Sequence, residues 1–217
     1  MSFCFVFSEI DWSLTKDFAS IVGTVFTAGG VVVAGCIGIK GLATWKKQLR
    51  GQDEHKLARR MLIELYKFEK LFDRCRSPAI NSSEVRRDGD PLFAPSADER
   101  FQRHALGFER RLDALNASYA EISVSLFEAK ALWGEHVLVV ANRLEILKDE
   151  YEEYVRLRLL CSDPGESEDE QVDHRVYLDM RRKVFKNRLF SHDEFGAELT
   201  DVVRNLESAL KLKLICL

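Results

Sequence analysis

The chain has 217 residues, 46% of them hydrophobic and 31% charged, with a formal net charge of −3. That balance describes a globular chain and not a disordered one, and it supplies no overall positive field to draw nucleic acid. The cysteines, Cys4, Cys36, Cys75, Cys161 and Cys216, form no C-x-x-C pair and the histidines are scattered. This spacing points to neither a metal site nor a disulfide framework; the cysteines read as free thiols, and no cofactor is expected.

Residues 1–17 read as a short extracytoplasmic N-terminus. Phe3, Phe5 and Phe7 alternate with Cys4, Val6 and Ser8 in a patch too short to cross a bilayer. It is consistent with an interfacial segment beside Trp12, an extra strand, or disorder.

Phe18 to Ile39 follows, about 22 residues without a formal charge between Asp17 and Lys40, or roughly 33 Å as a helix, against a hydrocarbon layer of about 30 Å. The sequence thus predicts a transmembrane helix over 18–42. Within it Gly23, Thr27, Gly30, Ala34, Gly38 and Gly41 recur at three- and four-residue spacings, which keeps them on one helical face. In lipid, small residues let a second helix approach closely, so the pattern predicts self-association or contact with another span. The simpler alternative is that glycine is common in membrane helices.

Charge sets the expected orientation. Glu9, Asp11, Lys16 and Asp17 sum to about −2 before the span, and residues 40–60 to about +5 after it, which places the N-terminus outside and residues 43–217 in the cytoplasm. Trp12 and Trp45 flank the apolar run as interfacial anchors would. A cleaved signal peptide fits less well, because its lead should be basic and its core shorter.

From Thr44 to about Cys75 a helix is predicted on the stripe Leu57, Met61, Leu65, Phe68 and Phe72, with Gly51 as a weak point that separates a juxtamembrane turn from the helix proper. Residues 76–95, rich in Pro, Gly, Asn, Ser and Asp, read as a loop. Ser96 is a plausible N-cap for the best-patterned segment. Its apolar seam, Phe101, Ala105, Phe108, Leu112, Leu115, Tyr119, Ile122, Leu126, Ala129 and Trp133, alternates four and three and calls for coiled-coil-like packing. The period slips at Trp133-Gly134; with no turn cluster there, a bent continuous helix is expected.

Acidic residues crowd 162–173, which reads as a solvated loop. Arg181, Arg182, Lys183 and Lys186 follow on a predicted short helix with Val176, Met180, Val184 and Phe185 as its apolar side. These cations are candidates for contact with an anionic surface; the plainer reading is that they answer neighbouring acids. Ser191-His192-Asp193-Glu194 has capping-box spacing and opens a last helix with Phe195, Leu199, Val202, Leu206, Leu210 and Leu214 on one side. Adjacent Ser, His and Asp cannot turn toward one another as a catalytic triad does. Phosphate loops, H-E-x-x-H helices and EF-hand loops are absent, and Glu150, Glu152 and Glu153 read as solvated carboxylates, so the expectation is a protein that is not an enzyme.

Thr44-Trp45-Lys46-Lys47-Gln48-Leu49-Arg50-Gly51, Ala58-Arg59-Arg60, Arg76-Ser77-Pro78 and Glu128-Ala129-Lys130-Ala131-Leu132-Trp133-Gly134 together resemble a loose group of bacterial inner-membrane proteins. Its members have one N-terminal span and a cytoplasmic helical domain. The resemblance covers residues 17–140 and carries no activity or functional residue across. The expected fold is all-α, one span and then an antiparallel, coiled-coil-like bundle, in a homo-oligomer whose partners are the lipid bilayer, other copies of itself and a protein bound to the cytoplasmic helices. Two roles follow: a scaffold presenting a helical surface at the inner membrane, or an oligomerising effector of the toxin or phage-defence type that perturbs the bilayer.

Overall fold

A computed structural model describes residues 9–87, 89, 96–186 and 193–215. The patch at Phe3, Phe5 and Phe7, the side chain of Trp12, Cys4, Cys216 and the Ser191-His192 part of the capping box lie outside what it describes. Six α-helices and no strand occur among the described residues: α1 (Glu9–Cys75), α2 (Ser82–Val85), α3 (Ala97–Trp133), α4 (His136–Leu160), α5 (Glu168–Met180) and α6 (Glu194–Ile215). They fall into two compact units, Met1–Gln52 and Asp53–Leu217.

In the first unit α1 passes through Gly51 without the turn expected there. One glycine lowers helix stability by only about 1 kcal/mol relative to alanine, and good helix formers on both sides outweigh it.

The second unit is built around a single apolar core. Leu57, Met61, Leu65, Phe68 and Phe72 of α1 are buried in it. Phe108, Leu112, Leu115, Ile122, Leu126 and Ala129 enter from α3, Ala141, Leu144, Leu147, Tyr151 and Val155 from α4, and Phe195, Leu199, Val202, Leu206 and Leu210 from α6. Each such side chain, fully buried, is worth about 1.5–3 kcal/mol. The ring of Phe72 sits at the middle, with centroids 5.5 Å from Phe68, 5.2 Å from Tyr151 and 5.9 Å from Phe195.

Helices α3 and α4 form an antiparallel hairpin, with Lys148 bonded to Asn116 and stacked on Tyr119. The expected continuous bent helix is therefore wrong. At the end of α3, Gly134 adopts φ 83° and ψ −165°, a region closed to side-chain-bearing residues, and its N–H returns to the Lys130 carbonyl. One glycine in this conformation reverses the chain without the Pro/Asn/Ser cluster that usually marks a loop. Ser96 caps α3, its hydroxyl accepting from Glu99 N at 3.0 Å.

The 162–173 stretch also differs from expectation. Ser167 and Glu170 form a reciprocal capping box, so α5 begins inside the acidic run, with Glu168, Asp169 and Glu170 in the first turn where the helix dipole favours carboxylates. The helix ends at Met180, before most of the basic cluster. Val176 and Met180, expected on an apolar face, are exposed, whereas Val184 is buried from the irregular segment that follows. Asp193 takes the cap position of α6, its carboxylate accepting from Gly196 N at 2.9 Å.

Candidate functional site

The first candidate is the apolar half of α1. Phe18, Val25, Phe26, Val31, Val32 and Ile37 are 65% exposed or more, and none of the segment's most apolar 18-residue window is buried. The core helix of a water-soluble domain shows the opposite pattern. Its polar groups are satisfied internally: the hydroxyls of Thr24 and Thr27 donate to the carbonyls of Ser20 and Gly23 at 2.9 and 2.8 Å. Such bonds remove the cost of placing a hydroxyl in hydrocarbon.

The helix surface is open at Gly23, Gly30, Gly38 and Gly41, where an added Cβ would meet nothing within 4 Å. A shallow apolar groove runs over Gly29, Gly30 and Ala34 between Val25, Phe26, Val33 and Ile37. Gly30 and Ala34 thus belong both to this groove and to the small-residue face, while Gly23, Thr27, Gly38 and Gly41 lie outside the groove lining. Gly29 was missed by reading one face; the Gly29-Gly30 doublet was the available signal.

The α3 seam forms part of the domain interior. Phe108, Leu112, Leu115, Ile122 and Leu126 are buried, while Phe101, Tyr119 and Trp133 are half-buried. Exposed apolar surface comes from other positions: Val124 and Phe127 on α3 and Val139 on α4, 68%, 70% and 73% exposed. They fall off the seam's period and so went unread.

The four basic candidates separate. Arg181 pairs with Glu153 at 2.6 Å, Arg182 is shared between Glu150 and Glu198, and Lys186 pairs with Asp73. Lys183 pairs with no carboxylate among the described residues. The acids that answer them come from α1, α4 and α6, not from the neighbouring 162–173 run. Glu150 and Glu153 are therefore ion-paired instead of simply solvated, and Glu152 binds Arg156 and Lys148.

Two buried arginines organise the chain around the end of α1. Arg76 donates through Nε to the Val184 carbonyl at 2.8 Å and pairs with Asp193. Arg111 donates to the Ser77 and Ala79 carbonyls, both at 2.7 Å, and to Glu84 at 2.6 Å. Tyr151 donates to the Cys75 carbonyl at 2.7 Å. Together they satisfy carbonyls that a helix end and an irregular loop would otherwise leave bare.

Burial raises the carboxyls of Glu84, Asp193 and Glu198, but arginine hydrogen bonds and charge more than offset it, holding all three below their ordinary range. Glu69 runs the other way, raised by burial and by Asp73. A carboxyl depressed in the folded state stabilises above its unfolded pKa, and that contribution fades as pH falls through the folded value. The melting temperature is accordingly expected to drop progressively below about pH 4, after a smaller loss that begins where a free imidazole titrates, because burial holds His104 below that range. Thermal unfolding followed by circular dichroism from pH 6 to pH 3 checks this; a level profile down to pH 3 contradicts it.

No group of three or more potential metal ligands is present among the described residues. Comparison with known protein families, with curated proteins and with solved structures finds no match to this chain.

Proposed function

We propose that the chain is a membrane-anchored helical scaffold: a single-pass inner-membrane protein with its N-terminus outside and an antiparallel bundle in the cytoplasm that offers a binding surface to a protein partner. The observation that carries this reading is the apolar segment of α1, which exposes Phe18, Val25, Phe26, Val32 and Ile37 with none of its most apolar window buried. Soluble monomers rarely leave so large a contiguous apolar surface in water, and lipid is the solvent that removes the penalty. Net positive charge after the segment supports the orientation.

A second reading has its own support. The open glycine surface allows another copy to pack closely, and close packing drives helix association in lipid. Clustered spans could then perturb the bilayer, as an effector would. Induction of the protein in cells with a potential-sensitive dye separates the two. A scaffold leaves the membrane potential unchanged at every expression level. An effector collapses it, and Gly30→Leu or Gly38→Leu, which fill the helix surface, would restore it.

A further inference from the structure

The second unit contains a cleft that none of the packing explains. Its volume is about 810 Å³, inside the range of small-molecule sites, and it lies where the end of α1 and the loop at Ser77, Pro78 and Ala79 face Tyr154 and Arg158 of α4 and the segment Lys183–Lys186. Four of the ten lining residues are cations, Arg74, Arg158, Lys183 and Lys186, against one carboxylate, Asp73, on a chain whose net charge is −3.

The state of those cations matters more than their number. Arg74 is paired with Glu84 and Lys186 with Asp73. Arg158 and Lys183 pair with no carboxylate among the described residues. The guanidinium of Arg158 lies 4.9 Å from the centroid of the Phe185 ring. A ring face does not neutralise the cation, and the guanidinium N–H groups, which make no hydrogen bond among the described residues, match the oxygens of a phosphoryl group. Lys183, exposed at the same cleft, adds a compact charge. The hydroxyl of Tyr154, which also lines it, has no hydrogen-bond partner among the described residues. A lone inorganic phosphate would leave most of the volume empty, and Pro78, Ala79 and Phe185 provide apolar wall for the remainder.

We propose that this cleft binds a small organic phosphate of nucleotide size. Arg158 and Lys183 hold its phosphoryl group, Tyr154 donates a hydrogen bond to it, and the carbon-rich part lies against Pro78, Ala79 and Phe185. The site is contained within residues 53–217 and does not depend on the membrane reading.

The test is isothermal titration of the full-length protein in detergent micelles, at low salt, with AMP, pyrophosphate, adenosine and dibutyryl phosphatidic acid. Saturable binding of AMP is expected, with none of adenosine. Lys183→Glu and Arg158→Gln should each weaken AMP binding by about tenfold or more, the loss of one charge-assisted hydrogen bond. Lys67→Glu, an identical charge change at an exposed position outside the cleft, should leave it unaltered. Because Lys183 is an exposed side chain, its variant keeps the fold and remains informative if Arg158→Gln does not. Three results would each overturn the proposal: no saturable binding of AMP or pyrophosphate to the wild type, equal weakening by Lys67→Glu, or binding of the short-chain lipid phosphate alone.

Discussion

Ala28→Asp combined with Val31→Asp is expected to release the protein from the membrane pellet after carbonate extraction, while the wild type stays in it. Both positions fall near the middle of the apolar stretch, and both are exposed in the fold, so no packing in the second unit is disturbed. A carboxylate at the centre of a spanning helix costs about 2.5–3.5 kcal/mol on insertion scales. Two such residues shift partitioning by about 5–7 kcal/mol, a factor of roughly several thousand or more. The readout is ultracentrifugation of detergent-free lysate followed by immunodetection. Wild-type protein in the supernatant, or a variant that pellets as the wild type does, would remove the membrane anchor from the reading above.

Arg76→Met is expected to destabilise the second unit clearly, although it removes no apolar side chain from the core. The Arg76 side chain is 2% exposed and Asp193 is 37% exposed. Its loss strands the buried Val184 carbonyl and leaves Asp193 without its ion partner. Severing a buried pair costs about 3–5 kcal/mol, but partial hydration of Asp193 brings the expectation nearer 2–3 kcal/mol. In a protein of this size that lowers the melting temperature by roughly 5–10 °C. Gly196 lies directly beneath this pair, so that a Cβ there would displace both the Arg76 guanidinium and the Asp193 carboxylate. Arg74→Met, at a neighbouring position with a 66% exposed side chain, is expected to change stability by no more than about 0.5 kcal/mol. Thermal unfolding of both variants in detergent decides the matter, and similar melting temperatures would show that the buried guanidinium contributes nothing special.

What could be read from the chain alone follows the range of the forces involved. The α3 stripe was legible because burial of a helical face writes a four-and-three rhythm into adjacent sequence. Gly134 was visible as a slip in that rhythm, but whether a glycine bends a helix or ends it depends on a backbone dihedral that composition does not record. The start of α5 was available in Ser167 and Glu170 and was overridden by the density of acid around them. By contrast, Arg182 meets Glu150 and Glu198 from two other helices, and Arg76 meets Val184 and Asp193 more than a hundred positions away. Nothing local distinguishes such arginines from solvated ones. The cationic cleft is illegible for the same reason: two helices and an irregular segment supply its cations one or two at a time.

The distribution of thiols has a practical use. Cys75 and Cys161 are buried, and burial pushes the Cys75 thiol up to about 11, so neither reacts readily near neutral pH. Cys36, in the apolar half of α1, is exposed in the fold. With Cys4 and Cys216 replaced by serine, the protein becomes its own depth gauge. A charged maleimide would tag Cys36 if water bathes that helix, and a lipid-soluble one alone would reach it if acyl chains do.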